Sequence, residues 1–152
     1  MSTKPLALPN SALYEQDYAA WATETGRLIR EGRFTELDLE NLAEEIEAMA
    51  GRDRREVLSR LTAVIHHLLK WKYQPEQRSA SWRTTVVTQR GEITLLLEQS
   101  PSLRPTVPRS LAQVYGHAVT RAIAETGLPA DAFPARCPFS VAQILDLEFF
   151  PD

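Results

Sequence analysis

Apolar residues recur at three- and four-residue intervals in four stretches of this chain, the spacing that places them on one side of an α-helix. The first stretch, 11–30, aligns Tyr14, Tyr18, Trp21, Leu28 and Ile29, and Gly32 stands where a helix ends in a residue of positive φ. The second opens behind Asp38, whose carboxylate suits an N-cap, with Glu40 favoured at the positive end of the helix dipole. Leu39, Leu42, Ile46, Met49, Val57, Leu61, Val64, Ile65 and Leu68 then follow at helical spacing as far as Tyr73. One helix of that span measures roughly 54 Å, against about 35 to 40 Å for a compact domain of this length. A kink or break is therefore expected at Gly51, because glycine is disfavoured inside helices by about 1 kcal/mol relative to alanine. Left unbroken, the helix would leave an apolar seam uncovered and favour a dimer.

Gln74-Pro75 stops the second stretch, since proline disfavours helical backbone in the residue before it. The third helix is expected over 81–99, with Trp82, Val86, Ile93, Leu96 and Leu97 as its stripe, and Ser100-Pro101-Ser102 as the following turn. The fourth carries Leu111, Val114, Tyr115, Ala118, Ala122 and Ile123 and ends at Gly127. Its start is open, because Pro105 and Pro108 each suit a first turn and cannot both be its first residue. A loop-rich tail passes Pro129, Pro134 and Pro138, then Ser140 and Gln143 form a capping box ahead of Ile144 and Leu145. Strand-like alternation is confined to a poor candidate near 84–88. The expected fold is all-α: a helical bundle of four main helices with a short C-terminal helix and a loop-rich tail. The expected organisation is a flexible tail over 1–10 and a single domain over 11–152.

Composition agrees with a globular protein. Of 152 residues, 43% are apolar and 24% charged, which excludes a disordered or fibrous chain. No run approaches the ~18 apolar residues of a membrane span, and the opening decapeptide has no signal-peptide core. A lone cysteine, Cys137, fits a reducing compartment, so the expected location is the cytoplasm.

Charge changes the picture more than composition does. The formal charge is −7 over Leu13–Met49, +6 over Gly51–Arg90 and −3 over Glu92–Asp152. Either acidic and basic helices pair within the domain, or a basic surface awaits an acidic partner. The basic stretch contains Lys70-Trp71-Lys72-Tyr73-Gln74-Pro75-Glu76-Gln77-Arg78 and then Trp82-Arg83. Cations interleaved with aromatics suit a nucleic acid, whose phosphates they would hold while bases stack on the rings. The competing reading is that Trp71, Tyr73 and Trp82 clamp a helix–helix turn.

Catalytic signatures are sparse. Glu40, Glu44 and Glu47 share a helix face with Glu45 at its edge, but none of His66, His67 and His117 has a glutamate three residues before it, as carboxylate metal bundles require. No metal site and no cofactor are therefore expected. His66 and His67 point about 100° apart on a helix, and neither has an evident nucleophile to serve. In this reading His67 lies over Trp71 and His66 toward Tyr73. Arg136 beside Cys137 could lower the thiol pKa, without any signature linking it to a histidine.

Ordered motifs span nearly the whole chain: Tyr14-Glu-Gln-Asp17 with Trp21, Leu37-Asp-Leu-Glu-Asn-Leu-Ala-Glu-Glu-Ile46, His67-Leu-Leu-Lys-Trp71, Tyr73-Gln-Pro75, Ser81-Trp-Arg83 and Pro101-Ser-Leu-Arg-Pro105. Gly127-Leu-Pro129, Phe133-Pro134 and Cys137-Pro138 complete them. On these residues the chain resembles the bacterial family catalogued as domain of unknown function twenty-nine. The resemblance implies a helical fold and a bacterial origin, and brings no activity with it.

Three functions remain in competition. The first is an interaction module binding another protein, with its patch near Trp71–Arg83. The second is a nucleic-acid binder using Lys70, Lys72, Arg78, Arg83 and Arg90 with Trp71 and Tyr73, in the basic aromatic segment 70–90 that also holds Trp82. The third is an enzyme or metal-binding bundle using Glu44, Glu47 or His67.

Overall fold

In the computed structural model, which describes residues 9–152, the first expected helix is two. α1 (Asn10–Gln16) and α2 (Tyr18–Arg30) meet at Asp17, which leaves helical geometry at φ −151° and ψ 90°. Its carboxylate accepts from the Ala20 amide at 3.0 Å. The expectation of one helix over 11–30 is thus corrected at a residue that caps helices better than it fills them. Of the expected N-terminal tail, residues 1–8 lie outside the described residues, whereas Asn10 is buried and donates through Nδ2 to the Thr25 hydroxyl at 3.1 Å.

α3 (Leu39–Tyr73) runs without a break through Gly51, which corrects the expected kink. A single glycine costs about 1 kcal/mol, too little to interrupt a ladder propagated by good helix formers on both sides. Asp38 starts α3 as expected, accepting from the Asn41 amide at 3.3 Å. α4 (Ala80–Gln99) begins at Ser79, whose hydroxyl accepts from the Trp82 amide at 3.2 Å, and it absorbs the weak strand candidate at 84–88. α5 spans Thr106–Thr126. Pro105 precedes it and Pro108 is its third residue, so neither removes an intrahelical hydrogen bond, because first-turn amides have none. α6 (Val141–Leu145) carries both halves of the Ser140–Gln143 capping box. The described residues are helices, turns and loops, and the expected all-α fold holds.

The described residues form two compact units that divide between Gly51 and Arg52, and α3 crosses the boundary. In the first unit, the rings of Tyr14, Tyr18 and Trp21 lie 4.9 to 6.0 Å apart. Both tyrosine hydroxyls donate to Glu45, at 2.6 and 2.7 Å, one to each carboxylate oxygen. Arg27 and Arg33 sit in an exposed ladder with Glu24, Glu31 and Glu36, which adds little stability in water.

In the second unit one hydrophobic cluster joins α3 (Val57, Leu61, Val64, Ile65, Leu68), α4 (Val86, Ile93, Leu97), α5 (Val107, Val114, Ala118, Ala122) and the tail (Phe133, Phe139, Ile144). Gly127 closes α5 at φ 70°, and Gly91 lies within α4 with open space where a Cβ would project. Opposite outcomes are expected at these two glycines. Gly91→Ala should stabilise the protein by up to about 1 kcal/mol, and Gly127→Ala should destabilise it by about as much. Urea unfolding of both variants checks this.

Candidate functional site

The basic aromatic segment turns inward. Arg90 is 1% exposed, and its guanidinium donates to three carbonyls: Ile144 at 2.7 Å, Phe149 at 2.7 Å and Gln143 at 3.0 Å. Two of these belong to the last turn of α6, where the Gln143 carbonyl also accepts from the Asp146 amide at 3.3 Å. The next residue, Phe150, packs its ring 4.8 Å from that of Trp71 and 4.3 Å from the Arg83 guanidinium. Arg83 and Arg78 both lie 5.0 Å from the Trp71 ring. Arg78 also donates to the carbonyls of Trp71 at 2.8 Å and Pro151 at 3.4 Å. Three arginines and a tryptophan therefore hold the chain's own C-terminal segment.

Lys70 is engaged elsewhere. Its buried ammonium donates to Glu125 on α5 at 2.6 Å and lies 4.4 Å from the Trp82 ring. Tyr73 packs edge-on against Phe133, ring centroids 5.4 Å apart. Of the candidate binding residues other than Arg90, Trp71 and Lys70 are buried, Tyr73, Arg78 and Trp82 are half-buried, and Lys72 and Arg83 are exposed. A base stacking on Trp71 would have to displace Phe150, and one stacking on Trp82 would compete with Lys70.

His66 is buried against Glu125, its Nε2 3.1 Å from the carboxylate but out of line for a hydrogen bond. Its expected position near Tyr73 gives way to α5, and its ring meets that of His67 at 4.7 Å. His67 donates through Nδ1 to the Ala63 carbonyl at 2.8 Å, the ordinary helical back-bond. His117 lines an open groove of about 400 Å³ with Thr62, Gln113 and Arg121. Burial raises the Cys137 thiol pKa, the reverse of what a neighbouring arginine was expected to do. Among the described residues no three His, Cys, Asp or Glu side chains group to hold a metal ion.

The N-terminal unit presents a different surface. On α3, Leu39, Ile46 and Met49 are 64%, 58% and 60% exposed, with Leu42 half-buried among them. At 100° per residue these four share one face with Ala43 and Ala50. Glu45 borders that face on one side, where the two tyrosines hold it. Glu47 and Glu40 border it on the other, exposed, with no cation in ion-pair range among the described residues, and Glu44 lies just beyond. Tyr18, Ile29 and Phe34 are exposed in the same unit. The periodicity places Leu39, Leu42, Ile46 and Met49 in one stripe with Val57–Leu68, and the unbroken α3 leaves its first half uncovered. Glu125 and the Phe149-Phe150 pair had no local signal, since their partners lie on other helices.

Two outcomes test the inward-facing cluster. Arg90→Met removes the Arg90 donors from all three carbonyls, of which Ile144 is buried, and should destabilise the C-terminal unit by about 2 kcal/mol or more, while Arg90→Lys, which cannot span all three, recovers only part. Denaturant unfolding followed by Trp71 fluorescence measures both. Burial, partly offset by Glu125, pushes the His66 pKa down from 6.5 to about 4, and burial lowers that of His67 as well. The unfolded imidazoles take up protons below about 6.5, so this stability is complete above that pH and is lost as the pH falls toward about 4. A loss of about 2 kcal/mol is expected between pH 7 and 5, absent from a His66→Gln, His67→Gln double variant.

A family model described as domain of unknown function DUF29 matches residues 13–150. No curated protein and no solved structure matches the chain.

Proposed function

We propose that this chain, which belongs to the DUF29 family, is an interaction module that docks another protein on the open face of the first half of α3. One observation carries the reading: Leu39, Ile46 and Met49 stand more than half exposed on a shared helix face. Large apolar side chains gathered on one exposed face mark association surfaces more often than isolated ones do. The earlier candidate region, Trp71–Arg83, enters this reading as the clamp on the C-terminal segment and not as the docking surface. No helix among the described residues is long and apolar enough to cross a membrane. The reading places the module in the bacterial cytoplasm, where a single half-buried thiol stays reduced.

Site-specific photocrosslinking in the source cell tests it. A benzophenone side chain at Ile46 should capture one protein species at high yield, and one at the exposed Leu95 of α4 should not. Adding Met49→Glu should reduce the Ile46 adduct at least about tenfold. Equal and diffuse labelling from both positions would end the reading.

A further inference from the structure

Resting on that reading, we infer the chemistry of the partner: a basic amphipathic α-helix, with apolar residues at three- and four-residue spacing and lysine or arginine along one edge. The stripe of Leu39, Leu42, Ile46 and Met49 repeats at intervals of three, four and three, the register into which another helix interleaves its own apolar side chains. Ala43 and Ala50, one heptad apart and both exposed, leave room for that helix to approach closely. The free edge of the face is acidic. Glu40 and Glu47 stand exposed along it, in a segment carrying −7 over Leu13–Met49.

The same edge argues against a second copy of this chain. Two antiparallel copies related by a twofold axis set each edge against itself, so that Glu40 and Glu47 of one meet Glu47 and Glu40 of the other. A parallel pair sets that edge against Glu45. Either way carboxylates face carboxylates, which costs affinity and disfavours the wrong partner. A cationic edge removes the conflict and adds attraction at the periphery of an apolar contact.

The test uses the full chain and a synthetic helical peptide of about 18 residues with leucine at the a and d positions and lysine at the flanking ones, compared with its glutamate-flanked counterpart. Fluorescence anisotropy should show binding of the lysine peptide alone, weakening steeply between about 50 and 300 mM salt. Leu39→Ser with Ile46→Ser should weaken it at least tenfold and Glu40→Gln with Glu47→Gln about fivefold, while Leu95→Ser changes nothing. These positions are exposed, and circular dichroism monitors that each variant stays folded. Binding unaffected by the Leu39 and Ile46 substitutions, or equal binding of the glutamate peptide, overturns the inference. So does a dimer in sedimentation equilibrium that Ile46→Ser dissociates, which would assign the face to a second copy. If Ile46 captures a protein in the cell but the lysine peptide does not bind, the interaction reading stands and the basic helix falls.

Discussion

The guanidinium of Arg90 is the contact on which the C-terminal unit depends. A five-residue helix such as α6 has almost no intrinsic stability, and its last carbonyls need donors when they are buried. A guanidinium supplies several donors in one rigid plane, and Arg90 uses that plane to reach Gln143, Ile144 and Phe149 together. Once the chain is held there, Phe150 falls against Trp71 and Arg83, and Pro151 within reach of Arg78. Three of the cations of segment 51–90, Arg78, Arg83 and Arg90, are thereby engaged by carbonyls and aromatic faces, whereas Arg52, Arg54, Arg55 and Lys72 stay exposed.

That arrangement explains why the basic aromatic segment was ambiguous as sequence. Cations alternating with aromatic residues are what a nucleic-acid surface needs, and equally what a clamp on an aromatic tail needs. The two differ in where the tail lies, and nothing local specifies that Phe150, seventy-nine residues from Trp71, returns to it. Glu125 was invisible for the same reason: its partners Lys70 and His66 lie on another helix.

The features that could be read were those set by neighbours in sequence. Asp38 and Ser140 cap helices, and Gly32 and Gly127 adopt positive φ, because each role is decided within about four residues. Asp17 and Gly51 were misjudged in opposite directions. Each breaks the helical rule mildly, and the outcome turned on whether a local alternative existed. Asp17 had one, a side-chain cap on the Ala20 amide. Gly51 offered none that repaid the loss of continuous hydrogen bonding on either side of it.

The apolar stripe of α3 poses a different problem, because its period does not change while its meaning does. Val57, Leu61, Val64, Ile65 and Leu68 enter the core of the C-terminal unit, whereas Leu39, Ile46 and Met49 repeat the same spacing and stay exposed. Helix stability does not account for the second group. Alanine, glutamate or lysine would serve an exposed helical position as well or better, and β-branched Ile46 loses side-chain freedom in a helix. Nor does solubility account for it, since apolar side chains gathered on one exposed face promote association. On the proposed reading what remains is contact: a face with this spacing, and with alanines between its apolar stripe and the carboxylates along its free edge, suits a helix laid against it.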